Sequence, residues 1–198
     1  MIELLPALAL FALSTSITPG PNNIMLTASG ATFGFRRTVP HMIGIGMGFP
    51  VMLVAVGLGL AGVFATSPEI HAWLRYAGIA YLLYLAWRVA TSGRGADGQV
   101  RGRPLGVLQA ALFQWVNPKS WVMAIGAVTT YTTFGGSLLG EVALIAAVYV
   151  VIGTPCMVLW AAFGTALSRR LANPRALRAF NVSMALLMVG SVLPMALA

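Results

Sequence analysis

Residues 13–26 read LSTSITPGPNNIML, and the segment Thr18-Pro19-Gly20-Pro21 interrupts an otherwise apolar stretch from about Leu4 to Phe33. Two prolines and a glycine in so short a segment do not continue a helix, because proline lacks an amide donor and its ring clashes with the preceding turn. An unbroken helix over this stretch would be roughly 45 Å long at 1.5 Å per residue. We therefore predict a membrane-spanning helix that is broken near its middle.

The composition supports a membrane protein. Of the 198 residues, 59% are apolar and only 8% are charged, whereas soluble domains have about 25% charged residues. A span needs about 20 apolar residues, and the chain has six such stretches, which leave no room for a soluble domain. We predict an all-α integral membrane protein, a single transmembrane domain over residues 1–198, with six spans at about 4–33, 39–65, 73–90, 105–131, 138–167 and 177–197.

The charged residues predict the orientation. The net charge is +8, and all arginines except Arg75 lie near the predicted loops between spans one and two, three and four, and five and six. Glu3, Glu69 and Glu141 lie on the opposite side, while Asp97 is in the loop after span three. Arginine-rich loops stay in the cytoplasm, so both termini are predicted to be outside. The N-terminus lacks the positive region of a cleaved signal peptide, and no basic soluble domain is present to bind nucleic acid.

A second break is expected at Asn117-Pro118-Lys119, in the middle of span four. Spans one and four occupy the same place in two groups of three, residues 1–95 and 104–198. Three spans in each half would make the halves inverted repeats, and broken helices in matching places of inverted repeats indicate a transporter site. Gly48-Phe49-Pro50 in span two and Gly153-Thr154-Pro155 in span five are a weaker matching pair.

The broken helices suggest a ligand class. Pro21 suits the first position of a new helix, while Asn117 and Pro118 suit an N-cap and a first position. Free N–H groups at such helix starts attract carboxylates, and Lys119 would add a positive charge. Free carbonyls were expected at the ends of the preceding half-helices, around residues 14–18 and 113–116, where they suit an ammonium group. Together these groups would suit an amino-acid zwitterion.

The predicted substrate site therefore consists of the residues at the two breaks. Lys119 is the ionisable residue placed near the bilayer centre, where such a residue is costly, by about 2.5–3.5 kcal/mol. The other readings of Lys119 are that it extends to the membrane interface or that it bonds to the broken backbone. The site residues are Thr18, Pro19, Gly20, Pro21, Asn22, Asn23, Asn117, Pro118 and Lys119. No catalytic residue, metal ligand or cofactor is predicted.

These motifs, with Gly34-Phe35-Arg36, the glycines of residues 44–48 and Tyr81-Leu82, resemble the LysE/RhtB family of amino-acid exporters. The resemblance extends over nearly the whole chain, and the Pro-Gly-Pro-Asn and Asn-Pro-Lys motifs are quite specific. It implies a transporter in the bacterial inner membrane that exports amino acids or close derivatives, driven by the proton gradient. Members are often described as exporters of threonine, homoserine, leucine or lysine. The resemblance does not identify the substrate of this chain.

Other classes fit the residues less well. An enzyme or a heavy-metal exporter would need clustered ligands or a nucleophile with a base, and His41, His71 and Cys156 are far apart in the sequence. A structural subunit or an exporter of another small solute remains an alternative. The glycines at 44, 48, 57, 59 and 62 permit close helix packing, within the chain or in a homodimer. We expect His41 to be solvated at the cytoplasmic end, although His41, Lys119 or the substrate could carry a proton.

Overall fold

The computed structural model describes residues 2–60, 68–94, 99–132 and 137–191. These residues form helices and one short strand pair, Gly93–Arg94 (β1) with Val100–Arg101 (β2), which is antiparallel. The helices are α1 (Leu5–Ile17), α2 (Pro21–Phe33), α3 (Phe35–Ala55, continued by a π-helical turn Val56–Leu60), α4 (Pro68–Thr91), α5 (Val107–Phe113, continued by a 3₁₀ turn Gln114–Val116), α6 (Pro118–Tyr131), α7 (Leu138–Leu167) and α8 (Pro174–Gly190).

Both predicted breaks are present. The first apolar stretch is divided into α1 and α2 by residues 18–20, and α2 begins at Pro21. The fourth is divided at Asn117, whose side chain accepts a hydrogen bond from the Lys119 amide and so caps α6. In each case proline occupies the first helical position, where its missing N–H group has no intrahelical partner to lose.

The glycine-proline pairs of spans two and five do not break their helices. α3 continues through Pro40 and Pro50, and α7 continues through Pro155. α2 and α3 are joined by Gly34 alone, with φ of 83°, a conformation that suits glycine because it has no Cβ. Arg36 and Arg37, which were expected in a loop, therefore lie in the first turn of α3 and are exposed.

Membrane character is clearest in two of the described helices, 35–60 and 138–167, which are long and apolar enough to cross a bilayer. Each of the six predicted spans coincides with a helix or a broken pair of helices. The predicted ends of spans two and six, at 61–65 and 192–197, lie outside the described residues, as do Gly62 and Asp97.

Glycines bring the central helices into close contact. A Cβ atom at Gly30 in α2 would collide with the carbonyl oxygen of Ala161 in α7, and one at Gly164 in α7 would collide with that of Thr27. On α3, a Cβ atom at Gly48 would lie 2.5 Å from the Cα atom of Ala111 in α5. The absence of side chains at these positions is what allows the two broken helices to pack against α3 and α7.

Candidate functional site

A partly open cavity lies between the two breaks. It brings together Gly20, Asn22, Asn23, Asn117 and Lys119 of the predicted site. Thr18 and Pro19 contact Lys119, while Pro21 and Pro118 begin the helices behind the cavity wall. The remaining lining residues come from α1, α3, α6 and α7: Thr15, Ser16, Ile45, Gly46, Phe49, Pro50, Ser120, Met123, Tyr149, Val150, Gly153 and Met157.

The Lys119 side chain extends from the second break to the first. Its Nζ donates to the carbonyl oxygen of Thr18 at 2.7 Å, to the Thr18 hydroxyl at 2.9 Å and to the Pro19 carbonyl at 3.3 Å. Among the described residues no carboxylate pairs with Nζ, so its charge is met only by neutral oxygens. Gly20 allows this approach, since a Cβ atom there would lie 2.6 Å from Lys119 Cδ.

Side chains occupy the carbonyls at the end of α1. Asn23 Nδ2 donates to the carbonyls of Ser16 and Thr18, at 2.8 Å each. Trp160 of α7 donates through its indole N–H to Ile17 at 3.2 Å. The expectation of free carbonyls around residues 14–18 is therefore wrong in this conformation, because unpaired backbone oxygens away from water are costly and protein donors satisfy them.

The two restarted helices present different ends. At α6 the Asn117 side chain accepts from the Lys119 amide and the Asn117 carbonyl accepts from the Ser120 amide at 3.0 Å. At α2 the N-cap is Gly20, and no described side chain accepts from the amides of Asn22 or Asn23. The α2 end therefore keeps two N–H donors and its partial positive charge beside Lys119.

A pair of side-chain amides, one buried and one half-buried, joins the two broken helices. Asn22 Nδ2 donates to Gln114 Oε1 at 2.8 Å, and Gln114 Nε2 donates back to Asn22 Oδ1 at 3.2 Å. Ser120 also donates to Gln114 Oε1 at 2.9 Å. Gln114 is fully buried, so these bonds fix the orientation of the Asn22 side chain at the cavity.

Sequence reasoning missed several polar residues of the site. Gln114 was detectable in principle, because an amide within an apolar span needs a buried partner. The hydroxyl oxygens of Thr15 and Tyr149 lie 3.2 Å apart. These two residues are 134 positions apart in the chain, so no local pattern pairs them. Ser16 and Ser120 are small polar residues that are common in ordinary helix packing.

The environment of His41 differs from the prediction. The expected solvated side chain is only 1% exposed. It is buried because α5 and the segment before it pack over the first turns of α3, where Met42, Leu105 and Ala110 belong to one apolar cluster. His41 lies outside the central cavity and lines a second one.

Comparisons with known proteins identify the family of this chain. The family model LysE type translocator matches residues 13–196. The chain is 34% identical to proteins named "Cysteine/O-acetylserine efflux protein" from Salmonella paratyphi A and Salmonella typhi, and 33% identical to one from Escherichia coli K12, with 94% of each chain covered. No solved structure matches. Since the family model spans nearly the whole chain, this protein belongs to the LysE type translocators.

Proposed function

We propose that this translocator exports small, zwitterionic amino acids or close derivatives from the bacterial cytoplasm. Membership of a translocator family makes it a transport protein rather than an enzyme. The observation that carries the substrate class is the Lys119 ammonium group on the cavity wall, which has no carboxylate partner among the described residues. A cation held only by neutral oxygens at membrane depth is a ready partner for an anionic group.

A substrate carboxylate fits between Lys119 and the start of α2. The backbone amides of Asn22 and Asn23 lie in the first turn of α2. The Lys119 ammonium group lies close to Gly20, which is the N-cap of that helix. To bind the carboxylate, Nζ would exchange its longest bond, the one to Pro19 at 3.3 Å, for a charge-assisted one. The two bonds to Thr18 would still hold the side chain in place.

The amino group of the substrate would use neutral acceptors. Thr15, Ser16 and Tyr149 bring hydroxyl oxygens to the cavity. Among the described residues no Asp or Glu lines the cavity, so a substrate with a second positive charge would be repelled by Lys119 without compensation. This favours neutral zwitterions over lysine or arginine.

The cavity also has an apolar wall that would face the substrate side chain. Ile45, Phe49, Met123, Val150 and Met157 leave room for a short chain of low polarity. Cysteine and O-acetylserine, the compounds in the names of the relatives, are zwitterions of this size. We therefore propose them as the first candidates, with another small solute as the alternative.

We further propose that all six helical stretches cross the inner membrane, as inverted repeats with both termini outside. In support, the first helix of each half packs on the second span of the other half: α1 packs on α7, and α5 packs on α3. Inverted repeats related by symmetry would make this same pair of contacts. The ends of α2 and α4 also meet α8: Asn181, in the middle of α8, donates to Thr32 near the end of α2 and to the Ser92 carbonyl after α4. Arginine-rich ends are cytoplasmic by the positive-inside rule.

Coupling to the proton gradient is part of the same proposal and rests on the family resemblance. No described carboxylate lines the central cavity, so Lys119 or the substrate would carry the proton.

A homodimer remains a prediction. Gly44 and Gly48 pack against α5 of the same chain, and Gly57 packs against Val142 of α7.

The test is efflux from proteoliposomes preloaded with labelled amino acids. The panel is O-acetylserine, cysteine, threonine, leucine and lysine, with Asn117→Ala/Lys119→Ala as the inactive control. We expect efflux of the small zwitterions, none of lysine, and loss of transport in the variant while it remains folded. Lysine efflux at the rate of the zwitterions would contradict the charge argument, and no efflux of any compound would refute the proposed substrate class.

A further inference from the structure

A second, partly open cavity lies at the arginine-bearing end of the bundle. α2, α3, α4 and the segment before α5 form its walls. The residues that carry polar side chains are Ser29, His41, Arg88, Ser92 and Arg103, and the apolar ones include Met25, Leu85 and Leu105. None of these residues was assigned to the predicted site.

His41 is the unusual residue of this cavity. Its side chain is 1% exposed, yet neither Nδ1 nor Nε2 has a hydrogen-bond partner among the described residues. Buried polar groups in native proteins nearly always have partners, and each exception needs an explanation such as a bound molecule. Since His41 lines the cavity, a hydrogen-bonding ligand within it would satisfy the imidazole.

The charged residues that line this cavity are Arg88, which is half-buried, and Arg103, which is exposed. Arg88 donates to the carbonyl oxygen of Arg103 at 2.9 Å, which ties the end of α4 to the segment before α5. This bond uses one of the five N–H donors of Arg88. Gly102, with φ of 89°, turns the chain so that it packs near Ser92 and Phe33 and brings Arg103 to the rim. A planar anion with two oxygens matches such donors best.

The second cavity and the central cavity share two helices. On α3, His41 faces the second cavity and Ile45 the central one, four residues or roughly 6 Å further along the helix. On α2, Met25 lines the second cavity, and Asn22, three residues earlier, lines the central one. The side chains of Met25 and Ile45 are both buried in the same apolar cluster.

We propose that the His41 cavity is a second, cytoplasm-side binding site, which takes the carboxylate of the amino acid before it enters the central cavity. This inference rests on the proposed function. Arg88 and Arg103 bind the carboxylate oxygens, and His41 and Ser29 hydrogen-bond to the bound molecule. A carboxylate bound here lies about one helical turn along α3 from the central cavity. Inorganic phosphate carries similar oxygens and is the competing source of an anion.

The test uses thiol protection in the full-length protein, reconstituted in nanodiscs so that both ends are accessible. Cys156→Ala removes the native thiol, Val89→Cys places one in the second cavity, and Val150→Cys places one in the central cavity. An anionic methanethiosulfonate labels the thiols, with O-acetylserine or inorganic phosphate as the protecting compound. We expect O-acetylserine to slow labelling in both variants. His41→Leu should raise the half-protecting concentration about tenfold for V89C and leave V150C unchanged, while His41→Gln retains protection.

Four other outcomes would each contradict the second binding site. Protection of V150C but not of V89C would overturn the second site and leave the proposed function intact. Protection of V89C by phosphate and not by O-acetylserine would make this an anion site that is unrelated to transport. If O-acetylserine protects neither thiol, the proposed substrate class fails and the second site with it. A thiol in V89C that reacts only after denaturation would show that the cavity is closed to ligands.

Discussion

Replacing Lys119 by Met should weaken substrate binding strongly without unfolding the protein. Methionine keeps a long apolar stem and removes the charge and all three hydrogen bonds, at 2.7, 2.9 and 3.3 Å. The Thr18 carbonyl keeps its bond from Asn23 at 2.8 Å, so this oxygen is not left without a donor. At about 0.6 kcal/mol for each such bond in a membrane protein, the free energy of unfolding should fall by less than about 2 kcal/mol.

The effect on binding should be larger. A hydrogen bond to a charged group contributes about 1.5–3 kcal/mol, and 1.4 kcal/mol corresponds to a tenfold change in affinity. The KM for O-acetylserine efflux from proteoliposomes should therefore rise about 10- to 150-fold in Lys119→Met. Thermal unfolding in the same detergent measures stability, and Arg169→Met, which removes an exposed positive charge, is the matched control. A KM within about threefold of the unmodified protein would refute the role of this ammonium group.

Three further substitutions test the geometry. Gly20→Ala places a Cβ atom 2.6 Å from the stem of the site lysine and should raise the KM about tenfold, because small misplacements of a positioned group are costly; an unchanged KM would show that the lysine is not held there. Gln114→Leu and Asn22→Leu should show a coupling energy of about 1 kcal/mol in a double-mutant cycle of unfolding, from two reciprocal bonds. Simple additivity would mean that the amide pair contributes nothing. Gly164→Val inserts a side chain into the contact between α7 and α2 and should cost about 1–3 kcal/mol or more, measured by thermal unfolding against Gly190→Ala, which has open space around it. Equal stability of these two variants would contradict the close packing.

The breaks were predictable because their causes are local. Proline at positions 19, 21 and 118 removes backbone donors whatever the tertiary structure, and Asn117 caps α6 through an atom only two residues away. Pro50 and Pro155 show the limit of this reasoning. A single proline in a long apolar helix is tolerated when neighbouring groups satisfy the freed carbonyl, and α3 and α7 continue through them.

The partners of the candidate site were not predictable, because they depend on which helices meet. The end of α1 was expected to present free carbonyls, but Trp160, distant in the sequence, donates to Ile17. His41 was expected in water, but the segment around Leu105 covers it. In both cases a side chain from another part of the chain supplies or removes the partner, and no local pattern contains that information.

The sequence by itself determined that this chain is a helical membrane protein, that two of its helices break, and that Lys119 lies beside one break. These properties follow from the scarcity of charge, from proline geometry and from the cost of a charge in lipid. Only the tertiary structure decided that both breaks line one cavity, that Lys119 reaches Thr18 across it, and that His41 is buried without a partner. The reason is physical: a break depends on neighbouring residues, whereas a cavity depends on how closely glycine-rich helix surfaces pack.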